Sequence, residues 1–181
     1  MGILKMSTRL SDILGTARTV VSQLDLDKAL AMVLKKSMEV TRTKAGSIAL
    51  YDSETNTLQI HAHRGFSRHF IGNREWPLRR GGLTDRIIKH KGITVISNTT
   101  NKSFFSNPIA KEEGIKSLVC VPLIHQRETV GILYVDDFTP RRFSKADLQE
   151  LEILASFASI AIQHDRTHTF VKQKAITDSQ T

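Results

Sequence analysis

Only one cysteine, Cys120, stands among the 181 residues, so no disulfide can form within the chain. Its place in an apolar run fits a reducing, cytoplasmic setting. Long apolar runs are missing too. None approaches the ~20 residues that a membrane-spanning helix needs, and residues 1–24 hold no continuous apolar block like that of a signal peptide. Met6 stands where a myristoylation signal after Gly2 would carry Ser or Thr, so that anchor is excluded and no membrane partner is expected. No Ser/His/Asp spacing, phosphate-gripping glycine loop or metal-binding helix motif offers a chemistry, so neither catalytic residues nor metal ligands are assigned. The net charge of +8 comes without a helix-turn-helix, zinc-finger or basic-zipper pattern, which argues against nucleic acid as partner. What is present is ordinary for a globular protein, 40% apolar and 24% charged. The length suits one domain that buries roughly two-thirds of its unfolded surface.

The charge is concentrated. Between Arg64 and Lys91, eight basic residues stand against Glu75 and Asp85 alone, so this stretch carries +6 of the total. Such a block is either a solvated basic surface or a site for an anion or an acidic partner. Within it, Gly81-Gly82-Leu83-Thr84 would set free backbone N–H groups and the positive end of a helix beside Arg79, Arg80 and Arg64. Those are the ingredients of an anion site; the alternative is that the glycines only let the chain turn.

Periodicity predicts a helix over residues 7–24, with Leu10, Ile13, Leu14, Ala17, Val20, Val21 and Leu24 on one stripe. A second helix over residues 27–40 would be N-capped by Asp27 and bury Leu30, Val33, Leu34 and Met38. Residues 45–51 and 58–64 read as two strands around a polar turn, the second alternating Leu58, Ile60 and Ala62 against Gln59, His61 and His63. Residues 65–80 lack a period and read as a loop with one helical turn. A short helix over 83–88, a strand over 93–97 and a helix opened by Pro108 follow. The last helix, over residues 144–174, carries two apolar stripes: Leu151, Leu154, Ala158 and Ala161 on one, Ile153, Phe157 and Ile160 on the other. A helix apolar on two sides needs two partners, the sheet and either the first helix or a second subunit.

The run Gly114-Ile-Lys-Ser-Leu-Val-Cys-Val-Pro-Leu-Ile124, a tight polar turn, then Glu128-Thr-Val-Gly-Ile-Leu-Tyr-Val-Asp136 makes a hairpin that leads directly into that helix. Together with Ala45-Gly-Ser-Ile-Ala-Leu-Tyr-Asp52, Gly82-Leu-Thr-Asp-Arg-Ile87 and Phe143-Ser-Lys-Ala-Asp147, it resembles a GAF domain, the small-molecule sensor module of signalling proteins. The resemblance implies an α+β fold: an antiparallel sheet of five or six strands, terminal helices on one face, and loops and short helices forming a pocket on the other. It implies three parts: a connector or dimerisation helix over 1–25, the sensory domain over 26–163, and the start of a signalling helix or linker over 164–181. It also implies a homodimer made through the terminal helices and control of an attached output, such as a histidine kinase of a two-component system, a cyclic-dinucleotide enzyme or a transcriptional activator.

The pocket positions used by cyclic-nucleotide-binding relatives match Ser47, His63, Arg64, Leu83 and Thr84 here. The accompanying Asn-Lys…Phe-x-x-x-Asp-Glu motif is largely missing: Phe143 and Asp147 fit, but Asp137 and Phe138 replace Asn-Lys and Leu148 replaces Glu. Arg80 joins the candidate ligand-binding residues from the anion reading, with Phe105 from the polar loop before Pro108. Cys120 and Tyr134 join as strand residues able to turn inward. The expected function is a non-enzymatic sensor of a small ligand, an anion among the candidates, with no cofactor assigned. A dimerising module whose pocket is degenerate, filled by Trp76, Phe104 and Phe105, is the alternative. A methionine sulfoxide reductase-like enzyme is a weaker one, because Cys120 alone cannot both attack and resolve. His61 and His63, on one side of a strand, would supply two metal ligands at most.

Overall fold

The computed structural model describes residues 8, 9, 11–17, 19 and 25–180. The first core helix, α1 (Leu26–Thr41), starts earlier than its sequence suggests. Asp25 is the N-cap, accepting the Lys28 N–H at 3.2 Å, and Asp27 sits in the first turn, where its charge meets the positive helix end. The chain continues through β1 (Ala45–Asp52), β2 (Thr57–Arg64), α2 (Arg68–Gly72), β3 (Glu75–Pro77) and α3 (Leu83–His90). Then come β4 (Thr94–Ile96), α4 (Pro108–Glu112), β5 (Ser117–His125), β6 (Glu128–Asp137) and α5 (Lys145–Ser179).

The six strands form one sheet in the order β3-β2-β1-β6-β5-β4, with every adjacent pair antiparallel. The α+β class and the antiparallel sheet expected from the sequence are what the chain adopts. β3 is new: three residues cannot carry a period, so it hid in the expected 65–80 loop. The β5–β6 turn places Gln126 at φ 47° and Arg127 at φ 69°. Two positive φ values in a two-residue turn match the right-handed strand twist, here without the usual Asn or Gly.

Alternation along the strands divides the core in two. Ile48, Val119 and Leu133 face α1 and α5, packing on Leu30, Leu34, Leu151, Leu154 and Ile162. Ala49, Leu118, Cys120, Ile132 and Tyr134 face the other way, under α2, β3, α3 and α4. Gly46 lets α1 settle on the sheet, since a Cβ there would lie 2.8 Å from the Tyr134 carbonyl oxygen and 3.0 Å from Leu34 Cδ1. The last helix is opened by a reciprocal capping box between Ser144 and Asp147. Its first stripe is buried as expected through Leu151, Leu154 and Ala158, while Ile153 and Ile160 remain 39% and 52% exposed.

Residues 11–17 are helical, Ile13 and Ala17 are buried, and Arg9 reaches Asp147 and Glu150 of α5 at 3.3 Å. Ser7, Leu10, Val20, Val21 and Leu24 of the expected first helix lie outside the described residues.

One expectation for β2 fails at a bulge. Ile48 pairs with Ala62 and Ala49 with Ile60, leaving His61 unpaired between them. Beyond the bulge the faces exchange. Ala62 joins the helix-side cluster while Leu58 and Ile60 stay on the other side. His61 bonds Asp27 of α1 at 3.1 Å, whereas His63 lies opposite Ser47, which lines the other face. The two histidines therefore cannot share a metal ion, and no cluster of three or more metal-ligating side chains occurs among the described residues.

Candidate functional site

Between the β1–β6–β5 floor and the short elements above it lies a cavity of about 210 Å³. Leu118, Ser47, Tyr134 and Asp136 rise from the floor; Trp76, Leu83, Thr84 and Phe105 come down from the roof. The roof is held by hydrogen bonds between its pieces. Leu83 N–H donates to the Phe104 carbonyl at 3.1 Å, and the Ser67 N–H and hydroxyl both donate to Glu113 at 2.6 Å. Trp76, Phe104 and Phe105 pack into the roof cluster as aromatic fillers, and a hollow remains beneath them.

Five of the nine candidate residues meet at this cavity: Ser47, Leu83, Thr84, Phe105 and Tyr134. Ser47 and Tyr134 are cross-strand partners, and Thr84 Oγ1 stands 3.5 Å from the Tyr134 hydroxyl. Burial pushes the Tyr134 hydroxyl well above its ordinary pKa, so it stays a neutral donor.

The other four lie elsewhere. Cys120 is fully buried in the floor cluster beneath the sheet surface, and burial first, then the nearby Asp136, raises its thiol pKa. Such a thiol is inert as a nucleophile. His63 borders a separate shallow depression with Phe66, Arg68 and Arg74, and partial burial, then the Arg74 charge, holds its pKa below the usual value. Arg64 and Arg80 are exposed and line no part of the cavity.

The anion cradle expected at Gly81–Leu83 is occupied by the chain itself. Gly81, at φ 77°, donates its N–H to Asp85 Oδ2 at 2.8 Å, Gly82 N–H bonds Arg79 O and Leu83 N–H bonds Phe104 O. Lys89 Nζ completes the arrangement at 2.7 Å from the same carboxylate, and its hydrogen bond, then that of Gly81, keeps Asp85 below the ordinary carboxylate pKa. An anion would have to displace Asp85 to use these donors.

Asp136 was not among the sequence candidates. It is 2% exposed, lines the cavity, and sits two residues beyond Tyr134 on the same strand face. That spacing was the available signal: once Tyr134 turns inward, period two turns Asp136 inward with it.

Asp137, on the opposite face, holds a different kind of contact. Its carboxylate accepts Arg141 at 3.1 Å, and the same guanidinium donates to the carbonyls of Thr41 at 2.7 Å and Arg42 at 2.9 Å, at the end of α1. Arg141 also rests on the Phe143 ring, 5.1 Å from its centroid, just before α5. One side chain thus ties the end of β6 to the C-terminus of α1 and the approach to α5.

A GAF-domain family model matches residues 23–163. The chain belongs to the GAF domain family. Among curated proteins it is 24% identical over 155 residues to the formate hydrogenlyase transcriptional activator of Salmonella typhimurium, covering 80% of this chain and 22% of that protein. It is 23% identical over 140 residues to the nitrogen fixation protein VnfA of Azotobacter vinelandii, covering 74% and 26%. The chain therefore spans about a quarter of the length of these relatives. Among solved structures, the GAF domain of an Acinetobacter phosphoenolpyruvate-protein phosphotransferase superposes with a TM-score of 0.77 at 21% identity, covering 88% of this chain and 95% of that one. The free methionine-R-sulfoxide reductase of Neisseria meningitidis superposes with a TM-score of 0.72 at 18% identity, covering 91% and 93%. These structural matches carry the fold, and one of the two curated relatives is named a transcriptional activator.

Proposed function

We propose that this GAF domain is a cytoplasmic, non-enzymatic receptor that holds a small molecule in the cavity over the β1–β6–β5 floor. Residues 1–25 form its connector, 26–163 the sensory domain and 164–181 the start of the helix toward an output domain. The single observation that carries the reading is the cavity itself. About 210 Å³ stays open although three aromatic side chains are close enough to fill it, and a polar floor of Ser47, Tyr134 and Asp136 faces a mixed lining that includes Trp76, Leu83 and Phe105 as well as Thr84, Glu75 and Arg79. The name of one curated relative, a transcriptional activator, supports a transcriptional output in preference to a kinase.

Homodimerisation belongs to the same proposal. Leu14, Ile160, Phe170, Val171 and Ile176 are each more than half exposed on the terminal helical segments and offer apolar area to a second subunit. A reductase activity of the kind named for the Neisseria neighbour is not part of it, because the lone Cys120 is shut inside the floor. Native mass spectrometry of the protein purified gently from its own cells tests both halves: a dimer carrying one small molecule per chain, released on denaturation, is the expected spectrum. A ligand-free dimer would instead favour a passive coupling module, and a ligand-free monomer would remove the proposal altogether.

A further inference from the structure

Most polar side chains buried in this protein have a visible partner. Ser37, Thr41 and Ser159 bond helix carbonyls, Thr99 bonds the Ile115 carbonyl, Asp85 has Lys89 and Gly81, and Asp137 has Arg141. Thr129 is a buried exception at the far end of β6. Ser47 and Asp136 are the exceptions that matter, since each is at least nine-tenths buried, each lines the cavity, and among the described residues neither side chain makes a hydrogen bond. They are also neighbours: Asp136 pairs with Ala45 and Tyr134 with Ser47, so the two polar groups stand diagonally on one face, about 7 Å apart at the backbone.

A carboxyl held out of water with no donor is costly, and native structures keep such a group where something else completes it. Its flanking partners, Ala45 and Leu118, have no side-chain donor to offer. Hydroxyls at Ser47, Thr84 and Tyr134 already serve a ligand that presents acceptors; what Asp136 adds is a carboxyl that becomes a two-oxygen acceptor once a cationic head group beside it takes the place of its proton. We infer that the cavity selects a ligand whose head group is an ammonium or a similar cluster of N–H donors, seated on Asp136 and Ser47, with an apolar body under Trp76 and Phe105. This rests on the receptor reading above and sets Asp136, with Glu75, against Arg79 at the same cavity, reversing the charge preference that the basic 64–91 stretch suggested.

Three ligands with one body and different heads read the head group directly: benzylamine, benzyl alcohol and benzoate. Trp76 is the only tryptophan of the chain and lines the cavity, so its fluorescence reports occupancy. In the wild-type protein benzylamine should bind about tenfold tighter than benzyl alcohol, a difference of about 1.4 kcal/mol, with benzoate weakest. In Asp136→Asn the amine and the alcohol should fall within twofold of each other, and in Ser47→Ala the order should survive with a smaller gap. The wild-type order needs no variant, so a misfolded Asp136→Asn leaves the test intact. Benzoate equal to or tighter than benzylamine, an amine preference that outlives Asp136→Asn, or silence from all three would overturn the inference. Equal quenching of Trp76 by all three would overturn it while the receptor reading stood. A native-mass ligand without N–H donors would do the same from the other side.

Discussion

Arg141→Ala tests whether the tie between β6, α1 and α5 holds the domain together or decorates its surface. The guanidinium makes three charge-assisted hydrogen bonds, at 2.7, 2.9 and 3.1 Å, and its carboxylate partner Asp137 is buried. Each such bond is worth about 1.5–3 kcal/mol when made alone, but three on one side chain do not add, and Arg141 is itself 26% exposed. The truncation also frees the last carbonyls of α1 and leaves Asp137 with only the Thr139 N–H and hydroxyl at 3.3 and 3.2 Å. About 3 kcal/mol is the resulting loss, which for a chain of this size lowers Tm by about 6–12 °C. Urea unfolding followed by far-UV circular dichroism should show the midpoint fall with an unchanged slope. Arg141→Lys, which keeps the charge but not the fork, should recover less than half of the loss. A loss below about 1 kcal/mol, the range of an exposed ion pair, would refute the reasoning.

Two further perturbations probe the two faces of the sheet. Burial raises the Asp136 pKa above its ordinary value of 3.8, so the folded protein keeps a proton that the unfolded chain releases. Stability from this group is therefore complete below pH 3.8 and is lost as pH rises toward the folded value. Asp136→Asn should flatten that loss, and melting temperatures between pH 4 and pH 8 should show the variant gaining on the wild type as pH rises; parallel curves would contradict the burial. On the helix side, Gly46→Ala sets a Cβ 2.8 Å from the Tyr134 carbonyl, a backbone atom that cannot step aside. A loss of about 1–3 kcal/mol in chemical unfolding is expected, and a neutral result would show that the β6 backbone does not crowd Gly46 as the 2.8 Å approach requires.

The sequence made the sheet legible because its strands are long and its helices amphipathic. β5 and β6 announce themselves by dense β-branched residues, and Leu30, Leu34, Leu151 and Leu154 fall on helical spacing that the core then uses. The short roof was harder. Pro108 marked α4, but β3 spans only three residues, too few for an alternation to stand out, and it is held by contacts such as Ile60 N–H to Arg74 O at 2.8 Å. The bulge at His61 was invisible for a related reason: the strand keeps its alternating letters on both sides of the inserted residue, and only the pairing with β1 exposes the slip. At Gly81–Leu83 the free N–H groups that the anion alternative needed are taken up by the chain itself. Asp85 lay four residues from Gly81, at the distance where a helix residue folds back on its own N-terminus.

Asp136 and Asp137 make the sharpest case of what a linear reading can and cannot separate. They are the same residue type, adjacent, and both nearly inaccessible, at 2% and 3% exposure. Strand alternation alone says they face opposite ways, and the inward position of Tyr134 says which is which. Their chemistry, however, is decided by groups distant along the chain. Asp137 is held by an arginine that also reaches Thr41, 100 residues earlier, whereas Asp136 meets the apolar neighbours Ala45 and Leu118 and the open cavity. The ionised clamp and the unpartnered carboxyl are therefore one peptide bond apart on opposite sides of a single strand. The strand end that lines the cavity through Asp136 is, through Asp137, the one that Arg141 ties to the C-terminus of α1.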